Sequence, residues 1–427
     1  MSEGYESRTP KGRRVYDRAR RVFAGGVNHN ARFFEPYPLF AAKARGKHIW
    51  DEDGNRYTDY WMGHMALILG HSPKVVVEAL RAQIENGTHY GTSSRQAVEL
   101  GEEIQRDVPC AEMMRFCNSG AEATMYLVRL ARGYTRRRMI VKMEGGWHGY
   151  NTELNRAVSS PSKRPEGTGI LEEEQSFVTS VPFNDLGAVE RVMKGGGSDV
   201  AAVLVEPVLG AGGCIPADPD YLAGLRELTS RYGALLAFDE IITGFRLALG
   251  GAQERYGIEP DIATLGKVAG GGLPLGLVCG RGEVISEADP TKKKVSMGGG
   301  TFSENPLTMV AGLATLRYLR KNREKVYGSL EEMGKRARRE VDEAFDGTGL
   351  EAETTGLGSL FLTHFPGKKG EEKKRIETAY ALSLMADGIF TLPGHPNGVS
   401  TVHTTLDIDR LAQASGRFAQ GATAAQK

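Results

Sequence analysis

The sequence lacks the features of membrane, secreted and nucleic-acid-binding proteins. It contains no apolar run of about 18 residues, the length that a transmembrane helix needs. Its N-terminal residues are polar and show no apolar segment of a secretory signal. Basic and acidic side chains nearly cancel, 54 against 53, so the basic excess that attracts nucleic acid is absent. We therefore expect a cytoplasmic protein that binds neither membranes nor nucleic acid.

Cysteine is also scarce, and no metal-binding pattern is visible. The four cysteines are scattered without C-x-x-C spacing, which indicates reduced thiols rather than zinc ligands. The segment 51–55 superficially resembles a calcium loop. However, Gly54 stands two positions too early and Met62 occupies the place of the bidentate glutamate. A hairpin turn is the favoured interpretation, and we expect no metal site.

The composition is that of a globular protein, and the periodicity predicts an α/β fold. With 427 residues, 40% hydrophobic and 25% charged, the chain is long enough for two or three packed subdomains. Helices are predicted at 11–24, 121–133 and 220–232, with one long helix near 306–346. Strand-length apolar segments alternate with helical stretches at 113–117, 139–143, 177–181, 201–205, 234–238, 262–265 and 275–279. This alternation indicates a mostly parallel sheet covered on both faces.

The chain outside this central pattern is organised differently. Residues 39–60 read as strands with turns at Arg45-Gly46 and Asp53-Gly54, and a mixed α+β tail begins near Glu351. The expected domains are an N-terminal helix and hairpin segment (1–75), a large domain (76–320) and a small α+β domain (321–427). The stretch 155–175 reads as a long loop, and loops of this length often act as lids.

Polar residues follow three of the predicted strands, at the edge where α/β sheets bind ligands. Asn118–Glu122 combines a glycine with a helix N-terminus, which can bind a phosphate. The alternative is an ordinary N-cap at Ser119, with Glu122 completing a capping box. Asp239 follows the apolar segment 234–238, where a carboxylate could hold a pyridine nitrogen protonated or cap a helix.

Lys267 is the third of these residues. It lies between the predicted strand 262–265 and three consecutive glycines. A lysine in a crowded site beside another cation can lose its proton and attack a carbonyl carbon. A phosphate-binding P-loop is excluded because Val268 follows the lysine and no glycine lies five positions before Gly266.

Taken together, the motifs of this chain resemble one enzyme family. They are NSGAEAT (118–124), EGGWHGYN (144–151), VEP (205–207), AFDEIITGFR (237–246), TLGKVAGGGLPLG (264–276) and GGTFSENPL (299–307). Their order and intervals are similar to those of the class III aminotransferases, and within them to the glutamate-1-semialdehyde 2,1-aminomutases, over residues 21–410. The resemblance implies a pyridoxal 5'-phosphate (PLP) enzyme of fold type I. Such an enzyme has a large domain with a mostly parallel seven-stranded sheet, a smaller α+β domain and a homodimeric assembly.

The resemblance also implies a role for individual residues. Lys267 would form the Schiff base with PLP and move a proton on the substrate, while Asp239 would pair with the pyridine nitrogen. The other implied cofactor contacts are Ser119, Gly120 and Ala121 at the phosphate, Trp147 and Ile241 on the two ring faces, His148 and Glu206 near the ring, and Thr301 from the neighbouring subunit. Core packing is the alternative for Trp147 and Ile241, and a structural role is the alternative for Glu206.

The predicted substrate pocket departs from the aminomutase pattern. Arg32 matches an arginine that binds the substrate carboxylate, with a structural salt bridge as the alternative. His29 replaces a serine, and His64 beside Trp61 replaces a tryptophan. Residues 393–398 lack the acid that holds the substrate's amino group.

These departures favour transfer between two small molecules over isomerisation of one. The expected donor is a carboxylate-bearing amino compound, with a β-amino acid as one candidate, and the expected acceptor is a keto acid. The first alternative is glutamate-1-semialdehyde 2,1-aminomutase activity, which moves the amino group within one molecule to give 5-aminolevulinate. A PLP-dependent racemase or epimerase and a catalytically silent PLP-binding protein are further alternatives.

Overall fold

The structure, a computed structural model, describes residues 2–159, 167–292 and 294–424. The chain forms two compact units. The terminal unit combines Met1–Pro73 with Gly328–Lys427, and the central unit is Lys74–Tyr327. The segments 1–75 and 321–427, predicted as separate domains, thus lie mostly in one unit. Part of the predicted lid, residues 160–166, lies outside the described residues. Within the described chain no helix is long and apolar enough to cross a membrane.

The strands and helices follow the alternation that the sequence predicts. The strands are β1 (Ala41–Arg45), β2 (His48–Asp51), β3 (Arg56–Asp59), β4 (Met113–Cys117), β5 (Met139–Met143), β6 (Val178–Val181), β7 (Val200–Val205), β8 (Val208–Leu209), β9 (Ile215–Pro216), β10 (Leu235–Glu240), β11 (Ile262–Gly266), β12 (Gly276–Gly280), β13 (Glu353–Thr355), β14 (Leu360–His364), β15 (Ile389–Phe390) and β16 (Asn397–Gly398). The helices are α1 (Ser2–Arg8), α2 (Pro10–Ala19), α3 (Met62–Met65), α4 (Lys74–Ile84), α5 (Arg95–Asp107), α6 (Gly120–Thr135), α7 (Leu186–Gly196), α8 (Pro219–Tyr232), α9 (Gly251–Tyr256), α10 (Gly282–Ile285), α11 (Pro306–Lys321), α12 (Arg323–Phe345), α13 (Gly370–Ala386) and α14 (Thr405–Ala424).

The central unit is built on a seven-stranded sheet, which confirms the predicted fold. Its order is β4-β12-β11-β10-β7-β5-β6, and only β12 runs antiparallel to its neighbours. Every residue of β7 and β10 is buried, as expected for strands covered on both faces. Helix α6 packs on the sheet through Ala123, Leu127, Leu130 and Ala131, which recur at helical spacing on one face.

The terminal unit contains two smaller sheets, β1-β2-β3-β15 and β13-β14-β16. Its segments from the two ends of the chain are joined by β15, which pairs in parallel with β3. The predicted turns are present, with Gly46 and Gly54 at φ values of 59° and 89°. In the second turn, Asp51 Oδ1 accepts the backbone N–H groups of Asp53 and Asn55 at 3.0 and 2.8 Å. Asp51 therefore stabilises a hairpin turn, as the sequence favoured.

Two predicted helices differ in the structure. The long helix near 306–346 is divided at Asn322, whose φ and ψ of −115° and 22° are not helical. Its side-chain N–H donates to the carbonyl of Tyr318, and such side-chain bonds compete with helix continuation. The helix predicted at 11–24 ends at Ala19. The chain then passes through turns to Gly25 and Gly26, whose positive φ values lead it away from the helix direction.

Candidate active site

The carboxyl ends of the parallel strands meet on one edge of the central sheet. The registers place Asp239 of β10 opposite Thr264 of β11, and Phe238 opposite Val205 of β7. Glu206 and Lys267 therefore follow directly on either side of Asp239. The turn after β4 and the loop after β5 leave from the same edge, and they carry the predicted contacts at Ser119 and Trp147.

Asp239 is buried at this edge and is held by three donors. Its Oδ1 accepts the Thr264 hydroxyl at 2.9 Å and the Ile241 backbone N–H at 3.1 Å. Its Oδ2 lies 2.8 Å from Nδ1 of His148. Burial lowers the pKa of His148, so the ring is neutral and this contact assigns its proton to Nδ1. Since a carboxylate offers about four acceptor positions, one remains for a protonated pyridine nitrogen.

Lys267 follows β11 in a conformation that is unusual for a residue with a side chain. Its φ of 45° is left-handed, and such strained residues cluster at functional sites. Lys267 is partly exposed, and burial is the largest cause that lowers the pKa of its ammonium group. The charge of Arg246 lowers this pKa further, whereas the charges of Asp239 and Glu206 raise it. A lowered pKa increases the fraction of neutral amine that can attack a carbonyl carbon.

Glu206 is buried and is bonded to the loop that carries Trp147. Its Oε1 accepts the Trp147 backbone N–H at 2.7 Å, and its Oε2 accepts the Gly210 N–H at 3.1 Å. Burial and, after it, the negative charge of Asp239 raise the pKa of Glu206 to about 8. A proton on Glu206 at neutral pH avoids two unscreened negative charges at one end of the site.

The turn after β4 forms the N-cap that the sequence offered as an alternative, and phosphate binding there stays a prediction. Ser119 caps α6 by accepting the Glu122 N–H at 3.2 Å, and Glu122 in turn accepts the Asn118 N–H at 2.7 Å. This is a reciprocal cap displaced by one residue from the usual capping box. The first-turn N–H groups of Gly120 and Ala121 remain suited to a phosphate, because they lack partners within the helix and lie at its positive end.

The turn after β4, predicted to bind the phosphate, and the Trp147 loop are packed against each other. The Thr124 hydroxyl of α6 donates to the carbonyl of His148 at 2.7 Å. Gly149 has a φ of 79°, and a Cβ there would lie 2.6 Å from Ala121. The structure thus gives Thr124 and Thr264 supporting roles that the sequence analysis missed. Both threonines lie in the motifs quoted above. However, no sequence pattern distinguishes a threonine whose hydroxyl donates a hydrogen bond within the site from a threonine that only packs in the core.

The loop that carries Thr301 lies beside the same turn. The Tyr126 hydroxyl donates to the carbonyl of Gly298 at 3.0 Å, and a Cβ on Gly300 would lie 2.4 Å from the side-chain amide of Asn118. Thr301 itself is exposed. Its contact with a neighbouring subunit therefore stays a prediction.

Trp61 and His64, two of the three predicted substrate residues, meet in a ring cluster of the terminal unit. We call His29, Trp61, His64 and His395 the ring cluster. The Trp61 ring lies 4.2 Å from His64 and 5.6 Å from His395, and His64 lies 4.8 Å from His29. Arg32, the third predicted residue, is exposed at the end of the short turn Asn30–Arg32.

The backbone that carries the ring cluster is strained. All four residues of α3, Met62, Gly63, His64 and Met65, have φ values of 46° to 64°, so α3 is a left-handed turn and not a right-handed helix. A left-handed turn of this length is costly for residues with side chains. It is held by Asp59, whose Oδ1 accepts the N–H groups of Trp61 and Met62 at 2.8 and 2.9 Å. Strain that the surroundings maintain in this way is typical of functional segments.

A family model described as "Aminotransferase class-III" matches residues 30–418, nearly the whole chain. The chain belongs to the class III aminotransferases. This membership confirms the predicted fold type and the predicted dependence on PLP. The geometry fits that cofactor, since the sheet edge supplies an acceptor for the ring nitrogen, a lysine of lowered pKa and a helix N-terminus for the phosphate.

Individual relatives of this class III enzyme carry different names. A glutamate-1-semialdehyde 2,1-aminomutase of Methanothermobacter thermautotrophicus is 40% identical, over 96% of this chain and 99% of its own. A solved transaminase with PLP bound has a TM-score of 0.91 at 31% identity, covering 98% of this chain and 99% of its own. A β-phenylalanine aminotransferase of Variovorax paradoxus has a TM-score of 0.90 at 32% identity, covering 99% and 96%.

Proposed function

We propose that this enzyme moves the amino group of a carboxylate-bearing amino compound by means of Lys267. The observation that carries the proposal is the position of Lys267, with its lowered pKa, on the same sheet edge as the Asp239–His148 pair. Bound PLP would supply a conjugated ring that accepts electrons from the substrate carbon. The chain's own residues would hold that ring and move the proton.

Each group at the edge has a part in this chemistry. The neutral amine of Lys267 takes a proton from the substrate carbon and returns it. Asp239 would accept a hydrogen bond from the ring nitrogen, and neutral His148 fixes the carboxylate without cancelling its charge. Trp147 and Ile241 would lie against the two ring faces. The N-terminus of α6 would bind the phosphate, because its dipole favours the negative charge.

Of the two reactions compatible with this site, the comparisons favour transfer within one molecule. The aminomutase of 40% identity spans almost the whole of both chains, which supports glutamate-1-semialdehyde as the substrate. Such a reaction needs the intermediate to stay bound while the amino group moves to the neighbouring carbon. From the sequence alone, this reaction was the first alternative.

Transfer between two molecules is the second candidate, and the ring cluster favours it. In the described loop 393–398 His395 packs on Trp61, and the loop contains no acid that could hold a second amino group. Burial lowers the pKa of His395, so its neutral ring and the Trp61 ring offer faces that suit an apolar donor group. The structural similarity to a β-phenylalanine aminotransferase supports the same reaction.

We also propose a homodimer in which Thr301 contacts the cofactor of the neighbouring subunit. Thr301 is exposed, and Phe302 next to it is 58% exposed, with the His89 ring 5.2 Å from its own. Aromatic side chains are enriched at protein interfaces, which supports this arrangement. If the site draws on two chains, Thr301→Ala weakens PLP retention, and loss of PLP promotes dissociation of the dimer.

One experiment separates the two reactions. The PLP-loaded enzyme is given glutamate-1-semialdehyde without an acceptor, and 5-aminolevulinate is measured. In parallel it is given a panel of α-, β- and γ-amino acids with a keto acid. Fast isomerisation supports the first candidate, and transfer limited to the panel supports the second. No reaction in either assay would contradict the proposed function, as would a borohydride-reduced cofactor mapped to a lysine other than Lys267.

A further inference from the structure

Lys142 is a buried cation that the proposed function does not use. It lies on β5 and its side chain is fully buried. Its Nζ donates to three backbone carbonyls, those of Gly146 at 2.8 Å, Leu154 at 3.0 Å and Arg156 at 2.7 Å. A buried ammonium group destabilises the fold unless its N–H donors are satisfied. The three hydrogen bonds of Lys142 satisfy them, which indicates that this position is selected for lysine.

The first of these carbonyls belongs to the peptide group that leads into Trp147. The N–H of the same peptide group donates to Glu206 Oε1 at 2.7 Å. One peptide plane is therefore held at its oxygen by a cation and at its nitrogen by a carboxyl group. The bond to the Lys142 ammonium is charge-assisted and is stronger than an ordinary peptide hydrogen bond, and the bond to Glu206 holds the other side of the same peptide group. The plane determines the direction in which the Trp147 side chain leaves the backbone.

The other two carbonyls lie at the far end of the same loop. By binding Gly146, Leu154 and Arg156 together, Lys142 closes the loop that carries Trp147 and His148. The charge of Lys142 also acts on Glu206 and His148, where burial is the larger effect. It opposes the rise that burial causes in the pKa of Glu206, and it adds to the fall that burial causes in the pKa of His148.

We infer that Lys142 is a positioning residue, which fixes the Trp147–His148 segment for the cofactor ring by clamping the Gly146–Trp147 peptide. The inference deepens the proposed function and rests on it for the identity of the ring. The clamp itself is a property of the chain without its cofactor. It can therefore be tested separately from catalysis.

The test uses the full-length chain labelled with ¹⁵N-tryptophan. The sequence has three tryptophans, so three backbone amide signals are expected, and Trp147→Phe assigns the one of interest. In Lys142→Met we expect hydrogen exchange of the Trp147 amide to accelerate at least tenfold and its proton shift to move upfield. PLP affinity should fall by about tenfold, the lower end for loss of a supporting contact behind a bound group.

Two further variants keep the result decisive. Leu225→Ala removes a fully buried side chain of α8 and serves as the control for general destabilisation. It should leave the Trp147 signal and PLP affinity unchanged. Lys142→Arg retains the charge but displaces the N–H donors, so hydrogen exchange of the Trp147 amide should accelerate less than in Lys142→Met. If Lys142→Met does not fold, Lys142→Arg takes its place in the test. Wild-type exchange and PLP affinity in the folded variant would overturn the inference. An accelerated amide with the cofactor mapped to another lysine would instead overturn the proposed function alone.

Discussion

The sheet edge of the central unit and the ring cluster of the terminal unit are built on different principles. At the sheet edge, Asp239, Glu206 and Lys142 are buried, and their polar atoms contact named partners at 2.7 to 3.1 Å. The ring cluster lies on loops and on a left-handed turn, and its members contact one another through ring faces. Rigid strand ends suit chemistry that a whole family shares, whereas loop-borne rings can change without disturbing the fold.

If the sheet edge carries the chemistry, its lysine is the most sensitive residue in the molecule. We expect Lys267→Ala to lower turnover by at least about 10³-fold, as loss of a nucleophile does in other enzymes. PLP should still bind without a covalent bond through the phosphate-binding turn, which equilibrium dialysis can measure. Lys194→Ala on the surface of α7 is the matched control and should behave like the wild type. Substantial turnover in Lys267→Ala would place the reacting amine elsewhere.

Asp239→Asn should have the next largest effect. The fold should persist, because an amide can retain contacts with Thr264 and Ile241, but the negative charge opposite the ring nitrogen is lost. Removal of one preorganised electrostatic group typically costs about 10²- to 10³-fold in rate. Stopped-flow measurement of the first half-reaction is the test, with Asp199→Asn, at a partly exposed position just before β7, as a control. A near wild-type rate would mean that another group stabilises the protonated ring.

Much of the sheet edge could be predicted because its signals are local. The segments 113–117 and 139–143 predict strands whose bounds match β4 and β5, and the polar residues after the strands mark the ligand-binding edge. Lys142 was missed, although a lysine inside an otherwise apolar strand is a detectable signal in a sheet covered on both faces. The pairing of His148 with Asp239 joins residues 91 positions apart, and no local pattern indicates it.

The ring cluster could be predicted only in part. His64 and Trp61 are neighbours in sequence, and their departure from the family pattern was visible. Their contacts with His29 and His395 depend on a turn of four left-handed residues, three of which are not glycine. Intrinsic propensities disfavour that conformation, so only tertiary contacts can produce it.

If the terminal unit controls selectivity, Arg32→Ala should change specificity more than chemistry. We expect kcat/KM for carboxylated donors to fall about ten- to hundredfold through KM, the equivalent of one charged hydrogen bond. Simple amines without a carboxylate should be affected little. The measurement is a comparison of both substrate types in Arg32→Ala and in the exposed control Arg20→Ala. An equal loss for both types would assign Arg32 a structural role instead.

The smallest expected effect concerns Glu206, whose titration should make the stability of the wild type depend on pH differently from that of Glu206→Gln. Its pKa is about 8 in the folded enzyme, against an ordinary value of 4.5 when unfolded. Between these values the folded state binds the extra proton, so stability must fall as the pH rises. Glu206→Gln cannot titrate, and the opposite effect of His148 is common to both proteins. We therefore expect the melting temperature of the wild type, relative to Glu206→Gln, to decrease by several degrees between pH 5 and pH 8. Parallel curves over this range would show that Glu206 is ionised throughout, and that the sheet edge tolerates two buried negative charges.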